Sequence, residues 1–355
     1  MKSYLAALFA VVVLISAAPA VYSGAAPENA GQILARMNKL PSEQRQKQLV
    51  EKAKAEGEVS FYSSLQAQQI EPFIRVFQKR YPFIKVNPYR VSGNRQVIKI
   101  QTELNAGNHL FDVTNGSSEQ ASAIKKIGAI DPYFSPQREF FNPPNRDKDG
   151  YFASLYVIPI VLGYNTNMVK RPDVPKSYED LLQPKWKSNM FLDDEAYEWS
   201  AVLQKHMGRD KALQYMRALA KQDLRFMRGR TAQSQLLAAG ERPIAIVLSG
   251  HTVLDMKARG APVDQVILDP YFAQANKLML ARHAPHPHAA ALLVDFMLSK
   301  KGQEIAYRQT RWPAHKDLAT GATDEVGNRK TLVPDADKWG ARFEELVQLT
   351  GLLER

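Results

Sequence analysis

Glu58-Val-Ser-Phe-Tyr-Ser-Ser64 is the stretch that decides the fold, because it alternates like a β-strand and ends in two serines. Residues 70–81 follow with apolar side chains spaced three and four apart, which predicts an amphipathic helix. Residues 84–89 predict a second strand, residues 93–106 a second helix, and residues 112–114 a third short strand. Strands that alternate with helices predict a mostly parallel sheet covered on both faces.

The second half of the chain has strands and helices of its own. Residues 155–164 form an apolar run interrupted by Pro159, which favours extended structure over helix. Residues 243–248 predict a buried strand, and residues 266–271 and 277–280 predict strands that return towards the first half. The sequence therefore predicts two α/β lobes joined by crossing strands, a hinged clamp with its ligand cleft between the lobes.

Polar residues follow several predicted strands at their carboxyl ends, which is where open α/β sheets bind ligands. Hydroxyl groups and backbone amides at such positions either hold an anion or act as ordinary turn and helix-capping residues. Because these residues share one edge of the sheet, we expect them to line the cleft. They are Ser63, Ser64, Asn115, Gly116 and Ser117 in the first half, and Ser249, His251 and Thr252 in the second.

Arginines at predicted helix starts suggest that the ligand is an anion. A guanidinium binds carboxylate or phosphate through two parallel hydrogen bonds, whereas the alternative for each arginine is a solvated surface charge. Trp199 follows Glu198 in a predicted helix, where its indole stacks on a ring or sugar of the ligand or packs in the lobe core. The candidate ligand-binding residues of this group are Arg95, Arg228, Arg230, Thr231 and Trp199.

The N-terminus has the layout of a secretory signal peptide. A positively charged start precedes the apolar residues 5–18, and small residues offer cleavage after Ala20 or Ala25. The apolar run is shorter than the ~20 residues that a membrane-spanning helix needs. The chain has no cysteine, which excludes disulfides, thiolate metal ligands and a lipidated cysteine. We therefore predict a freely diffusing monomer of the bacterial periplasm.

The formal net charge of +11 at pH 7 attracts anions in general. Its basic residues are scattered, and neither a Lys/Arg-rich run nor a base-stacking motif accompanies them. The charge therefore favours a small acidic solute over nucleic acid as the partner.

Three of the seven histidines, His283, His286 and His288, lie within six residues. Pro287 and the alanines after it are typical of a helix start, and the two prolines give the histidines a spacing unlike that of helical zinc ligands. We predict a helix entrance here, with neither a metal site nor a cofactor.

Several stretches resemble a known family. Ala284-Pro-His-Pro-His-Ala-Ala290 with Phe296-Met-Leu-Ser-Lys-Lys-Gly-Gln303, Pro175-Lys-Ser-Tyr-Glu-Asp-Leu-Leu-Gln-Pro-Lys-Trp186 and Arg311-Trp-Pro-Ala314 are similar to the iron-type, ferric-binding-protein-like branch of periplasmic solute-binding proteins. These proteins are the receptors of ABC importers.

The resemblance implies a two-lobed, type II-like periplasmic-binding-protein fold. It also implies an exported receptor that is not an enzyme and that delivers a small solute to membrane permease subunits. With it we divide the chain into a signal peptide (1–25), a leader and N-terminal helix (26–56), lobe 1 (57–154 and 272–305) and lobe 2 (155–271 and 306–355).

The resemblance leaves the ligand open. Ferric-binding members have two adjacent tyrosines after the strand that corresponds to residues 244–248, whereas this chain has Ser249-Gly-His-Thr252 there. Phenolate suits ferric ion better than imidazole does, so we expect a small anionic organic solute, carboxylate or phosphorylated. The alternative is ferric iron or a ferric complex held by other tyrosines. These are Tyr62, Tyr156, Tyr164 and Tyr271, of which Tyr156 and Tyr271 are also candidate ligand-binding residues. A remote alternative is a hydrolase that uses Ser249 and His251.

Overall fold

The computed structural model describes residues 28–194 and 196–318. The predicted signal peptide with its cleavage sites, and the part of predicted lobe 2 after residue 318, lie outside the described residues. Within those residues, no helix combines the length and the apolar character needed to cross a bilayer.

The described residues form a mixed α/β structure, as predicted. The strands are β1 (Glu58–Ser63), β2 (Lys85–Arg90), β3 (Val113–Gly116), β4 (Ile130–Asp131), β5 (Ala153–Asn165), β6 (Met190–Asp193), β7 (Arg225–Met227), β8 (Ile244–Ser249), β9 (Val263–Val266) and β10 (Ala273–Ala281). The α-helices are α1 (Ala30–Met37), α2 (Ser42–Glu56), α3 (Ala67–Arg80), α4 (Asn94–Asn105), α5 (Ser118–Lys126), α6 (Tyr197–Met207), α7 (Arg209–Ala220), α8 (Arg230–Ala239), α9 (Gly250–Ala258), α10 (Pro287–Leu298) and α11 (Lys300–Tyr307).

Two strands, β5 and β10, connect the two halves of one continuous sheet. The strand order is β2-β1-β3-β10-β5-β8-β6-β7, with β4 paired to β10 and β9 paired to β5. In lobe 1, β1 lies parallel to β2 and β3; in lobe 2, β6 lies parallel to β7 and β8. The crossing strands pair antiparallel with each other. The predicted clamp with crossing strands therefore corresponds to this topology, while the exact lobe boundaries stay a prediction.

Pro159 lies where β5 changes partners. Residues before it pair with β10, and Ile160 begins the pairing with β8. Proline lacks the N–H group that a ladder needs, so it is tolerated at the point where one ladder ends and the next begins. The predicted extended run with an interruption at Pro159 is thus a single strand that passes from one lobe to the other.

The opening stretch folds as its pattern predicts. β1 buries Val59 and Phe61 on one face, and α3 buries Ile70, Phe73 and Phe77 against the lobe 1 core. α3 begins three residues earlier than predicted, because Gln66 caps it in a reciprocal pair of hydrogen bonds with Gln69. A further correction concerns the strand predicted over residues 266–271: β9 ends at Val266, and β10 begins only at Ala273.

The histidine-rich stretch is a helix entrance, as predicted. α10 begins at Pro287 with His286 at its N-cap. The His286 ring nitrogen Nδ1 lies 3.0 Å from Asp112 Oδ2, and that of His288 lies 2.6 Å from Glu56 Oε1. Glu56 also accepts the Ala289 amide at 2.7 Å, so an acid caps the helix N-terminus. Within the described ranges no group of three or more metal-ligating side chains occurs.

A buried ion pair fastens the N-terminal helix α2 to α10. Arg45 is 6% exposed, and its guanidinium donates to Asp295 Oδ2 at 2.8 Å. The Tyr133 hydroxyl donates to the other oxygen of Asp295 at 2.7 Å and also contacts Arg45. This cation therefore has a full set of partners inside the protein.

Candidate functional site

Polar side chains on one face of the crossing strands β5 and β10 form the floor of the candidate site between the lobes, called the cleft below. Tyr156 pairs with Asn276 and Ile158 pairs with Gln274. Paired residues, and residues two apart along a strand, project to the same face of a sheet. These four side chains therefore lie in two adjacent rows on one face, between the strand ends of lobe 1 and those of lobe 2.

The lobe 1 wall meets the first of these rows. Asn115 donates through Nδ2 to Asn276 Oδ1 at 2.6 Å and to Ser64 Oγ at 3.1 Å. Asn115 is fully buried, and its side-chain oxygen Oδ1 has no hydrogen-bond partner. A buried acceptor without a donor is costly, so this oxygen points to a donor supplied by a ligand.

Arg311 lies beside the same row. The backbones of Trp312 and Val157 exchange hydrogen bonds of 2.8 and 2.9 Å, which fixes the segment before Trp312 against β5. The Arg311 guanidinium stacks over the Tyr156 ring, 5.2 Å from its centroid. Burial raises the pKa of Tyr156, whereas its bonds with Arg311 and Ser64 oppose that rise, so the phenol stays protonated.

Arg311 differs from an ordinary buried arginine in its partners. It is 5% exposed, donates through Nη1 to the Gln309 carbonyl at 3.1 Å, and leaves Nε without a partner. No acid among the described residues forms an ion pair with it. Because a buried charge needs a counter-charge, Arg311, which has no acidic partner within the described residues, is a cation suited to an anionic ligand.

His251 lies in the first turn of α9, close to Arg311. Burial lowers the pKa of His251 to about 4, and repulsion from Arg311 adds to this effect. The ring is therefore neutral at pH 7, and its Nδ1 is buried without a partner. α9 approaches the crossing strand closely, because a Cβ at Gly250 would lie 3.0 Å from Pro159 Cγ. The N-terminus of α9 thus adds partial positive charge beside Arg311.

Two acids meet across the cleft near the second row. Glu119 of α5 and Glu198 of α6 are hydrogen-bonded to each other, and Gln274 donates to Glu198. Burial and the neighbouring Glu119 raise the pKa of Glu198 well above its usual value. Burial alone would raise the pKa of Glu119 too, but bonds from Glu198 and Ser117 lower it. The two carboxyl groups therefore share one proton.

Arg230 is the cation nearest to these acids. Its Nε donates to Asp193 Oδ2 at 3.2 Å, and its Nη1 donates to Gln274 Oε1 at 2.8 Å. Because Asp193 already balances its charge, Arg230 organises the lobe 2 wall rather than offering a free cation.

The structure brings together about half of the predicted site. The predicted residues that lie at the cleft or directly on its walls are Ser64, Asn115, Ser117, Tyr156, Arg230, Ser249 and His251. Ser63 is buried and accepts the Leu65 amide, so it forms a turn. At Gly116, a Cβ would lie 2.7 Å from Gln120 Oε1, so glycine allows α5 to pack closely.

The remaining predicted residues lie elsewhere. Trp199 is 1% exposed and packs against Tyr178 in the lobe 2 core, which corrects the expectation of a stacking platform. Tyr271 is 2% exposed and packs against Trp312 within the hydrophobic core. Arg95, Arg228 and Thr231 are exposed, and Thr252 is half-buried in α9.

Six residues of the cleft are not among those predicted from the sequence. They are Glu119, Asp193, Glu198, Gln274, Asn276 and Arg311. Asp193 ends a strand, which is the signal used for other residues. Gln274 and Asn276 alternate with apolar neighbours in a strand that crosses between lobes, and this pattern contained the information needed to find them.

Comparison with known proteins gives a family for most of the chain. Residues 119–341 match the model of a family described as "Bacterial extracellular solute-binding protein". An uncharacterised protein of Haemophilus influenzae is 26% identical over 271 residues, which cover 72% of this chain and 77% of the relative.

Solved structures share the fold. A Trichodesmium protein, IdiA or FutA, in complex with iron and citrate aligns with a TM-score of 0.70 at 18% identity, over 84% of this chain and 99% of that one. Ferric iron-binding protein A of Mannheimia haemolytica, in an open conformation, aligns with a TM-score of 0.70 at 17% identity, over 84% and 98%. The periplasmic binding protein AfuA of Actinobacillus pleuropneumoniae, with fructose-6-phosphate bound, aligns with a TM-score of 0.63 at 22% identity, over 82% and 97%.

Proposed function

Because the chain belongs to the bacterial extracellular solute-binding proteins, we propose that it captures a small anionic organic solute between its lobes and delivers it to the permease of an ABC importer. The family confirms the predicted resemblance, and it is a family of binding proteins rather than enzymes. The two-lobed fold of the neighbours confirms the predicted fold class. The nature of the solute is the part that goes beyond the family.

The observation that carries the proposal is Arg311. A carboxylate or phosphate would supply the missing counter-charge and accept from Nε, and charge-assisted hydrogen bonds are about twice as strong as neutral ones. The α9 N-terminus and the Ser64 hydroxyl lie on the same side and add donors. The fructose-6-phosphate bound to AfuA is an anion of the same class on the same fold.

Native mass spectrometry of the mature protein as purified, compared with its denatured mass, is the first test. An excess mass equal to a small organic acid supports the proposal. The denatured mass also tests export, because loss of the first 20 or 25 residues identifies the cleavage site. A single protomer mass under native conditions supports the predicted monomer.

A pair of arginine variants tests the role of Arg311. Arg311→Gln should lower the affinity for the solute at least tenfold, since one hydrogen bond to a charged group contributes about 1.5–3 kcal/mol. Calorimetry measures this affinity. Arg308→Gln is the control, because Arg308 is an exposed arginine three residues away. Equal affinities for both variants would contradict the proposal. Small-angle scattering on solute addition measures the expected closure of the lobes.

Ferric iron is the second candidate, because iron-bound proteins share this fold. Of the four tyrosines considered as iron ligands, Tyr156 lies on the floor of the cleft, and its pKa is raised, which opposes phenolate formation. Iron binding would give a coloured protein whose charge-transfer band disappears with a chelator. That result, with an Arg311→Gln variant that still binds iron, would replace the anion proposal.

A further inference from the structure

The acid pair Glu119 and Glu198 gives the cleft a second end whose chemistry is opposite to that of Arg311. Glu198 is 7% exposed, and its carboxyl group accepts from Gln274 of the floor. Glu119 comes from lobe 1 and Glu198 from lobe 2, so the bond between them spans the cleft. A hydrogen bond between two carboxyl groups requires a proton on one of them, and the raised pKa of Glu198 assigns it to Glu198.

The charges around this pair leave room for a cation. Among the described residues, the charged group that acts on both acids is Arg230 of α8. Asp193 of β6 binds Arg230 at 3.2 Å and balances its charge. Because Arg230 is shared with Asp193, it offsets only part of the negative charge that the pair carries with its single proton.

A solute ammonium matches this arrangement better than a hydroxyl group does. An ammonium group has three donors and one positive charge, so it replaces the shared proton without changing the local charge. A hydroxyl group brings a donor but no charge. If the acid pair keeps its proton, that proton occupies the position that the hydroxyl group would take. If the pair loses its proton, two carboxylates remain without a counter-charge, which is costly.

An independent feature also requires a donor on the solute. Asn115 Oδ1 is a fully buried acceptor without a partner, and it borders the same floor. The row of Tyr156 and the row of Gln274 lie two residues apart along β5, which is about 7 Å. A molecule of three or four bonds between its acid and its amine spans that distance.

We propose that the solute is a small zwitterion, with its acidic group at Arg311 and a primary ammonium group between Glu119 and Glu198. This inference rests on the proposed function, because it requires the Arg311 end to bind the acid. Binding then releases the shared proton from the acid pair to the solvent. The ammonium group supplies the positive charge that leaves with the proton.

Two matched series of probes test the proposal by calorimetry on the mature protein, freed of bound solute by unfolding and refolding. The phosphate series is 3-aminopropyl, 3-hydroxypropyl and butyl phosphate; the carboxylate series is 4-aminobutyrate, 4-hydroxybutyrate and pentanoate. Within each series only the end opposite the acid differs. In at least one series the amine should bind tenfold or more tightly than the other two members.

Proton release gives a second readout, which a purely structural acid pair would not produce. Titrations in two buffers with different ionisation enthalpies should show release of about one proton with the amine and none with its hydroxyl or alkyl analogue. The affinity for the amine should therefore rise about tenfold per pH unit while the pair still holds its proton.

Variants assign the effect to the acids. Glu198→Gln and Glu119→Gln should each reduce the advantage of the amine over the hydroxyl and alkyl probes at least tenfold. Glu241→Gln is the control, since Glu241 is an exposed acid paired with Arg225 at the far end of lobe 2. Because Glu119 and Glu198 lie on different lobes, either variant that retains a wild-type unfolding transition is sufficient.

The outcomes separate the two proposals. If acids bind with dependence on Arg311 but the amine has no advantage, or if the acid variants bind it normally, the zwitterion is overturned and the anion receptor stands. If no member of either series binds and Arg311→Gln leaves binding of the co-purified solute unchanged, the proposed function itself fails.

Discussion

Two buried arginines, Arg45 and Arg311, are almost equally exposed, at 6% and 5%, and both lie against a tyrosine. They differ in their counter-charge. Arg45 binds Asp295 at 2.8 Å, whereas Arg311 forms no ion pair within the described part of the chain. A buried cation whose charge is balanced by an acid depends on that acid, and a buried cation without one is available to a ligand.

The largest expected effect comes from removing the counter-charge of Arg45. Asp295→Asn should lower the free energy of unfolding by about 3–5 kcal/mol, because it leaves a buried charge unpaired. Urea unfolding measures this loss. Asp149→Asn is the control, since Asp149 forms an exposed pair with Lys148 and should cost about 1 kcal/mol or less. A loss for Asp295→Asn as small as that of the control would remove the contrast between the two arginines.

The pH dependence of the free energy of unfolding tests the state of His251, which lies close to Arg311. Its folded-state pKa of about 4 lies below the usual histidine value of 6.5, so between these two pH values the unfolded chain binds a proton that the folded protein does not. The stability contribution is complete above pH 6.5 and is lost as the pH falls towards 4. With allowance for partial exposure we expect a loss of about 2 kcal/mol.

The measurement is the free energy of unfolding from pH 7 to pH 4 for wild type and His251→Asn. The wild-type curve should fall more steeply than that of the variant as the pH decreases through this window. Saturating solute should reduce the difference, because an anion at Arg311 would favour a protonated His251. Parallel curves would mean that His251 is not held neutral.

Arg311 itself should matter little for stability. Without solute, Arg311→Gln should change the free energy of unfolding by about 1 kcal/mol or less, because a lost stacking contact is offset by removal of an uncompensated buried charge. The same urea experiment as for Asp295→Asn measures it. A loss of several kcal/mol would show that Arg311 has a structural role like that of Arg45.

The smallest effect is expected for an exposed arginine of the predicted site. Arg95 lies in the first turn of α4, fully in solvent. Arg95→Gln should change the solute affinity less than twofold, and calorimetry at low and physiological salt measures this. A tenfold loss would place Arg95 in contact with the solute and restore the original expectation.

Local pattern predicted the elements that depend on local physics. The alternation in β1, the apolar stripe of α3 and the proline-initiated α10 all fold as their spacing indicates. Strand ends located Ser64, Asn115, Ser117 and His251. In contrast, Arg311 is brought to the cleft by backbone pairing between Trp312 and Val157, a tertiary contact that local periodicity does not predict, although Arg311 begins one of the family-like stretches. The ligand-stacking role predicted for Trp199 was wrong, because the sequence around an aromatic residue on a helix is the same whether its side chain faces a ligand or the core.

Because β5 passes through both lobes, the two lobes depend on each other during evolution. A gene fragment that encodes only one lobe would produce β5 with half of its N–H and C=O groups unpaired, an exposed edge that recruits other chains. The two lobes can therefore not be exchanged between proteins as separate modules. Variation in ligand choice must instead arise from single substitutions on the floor and walls of a cleft that is inherited whole.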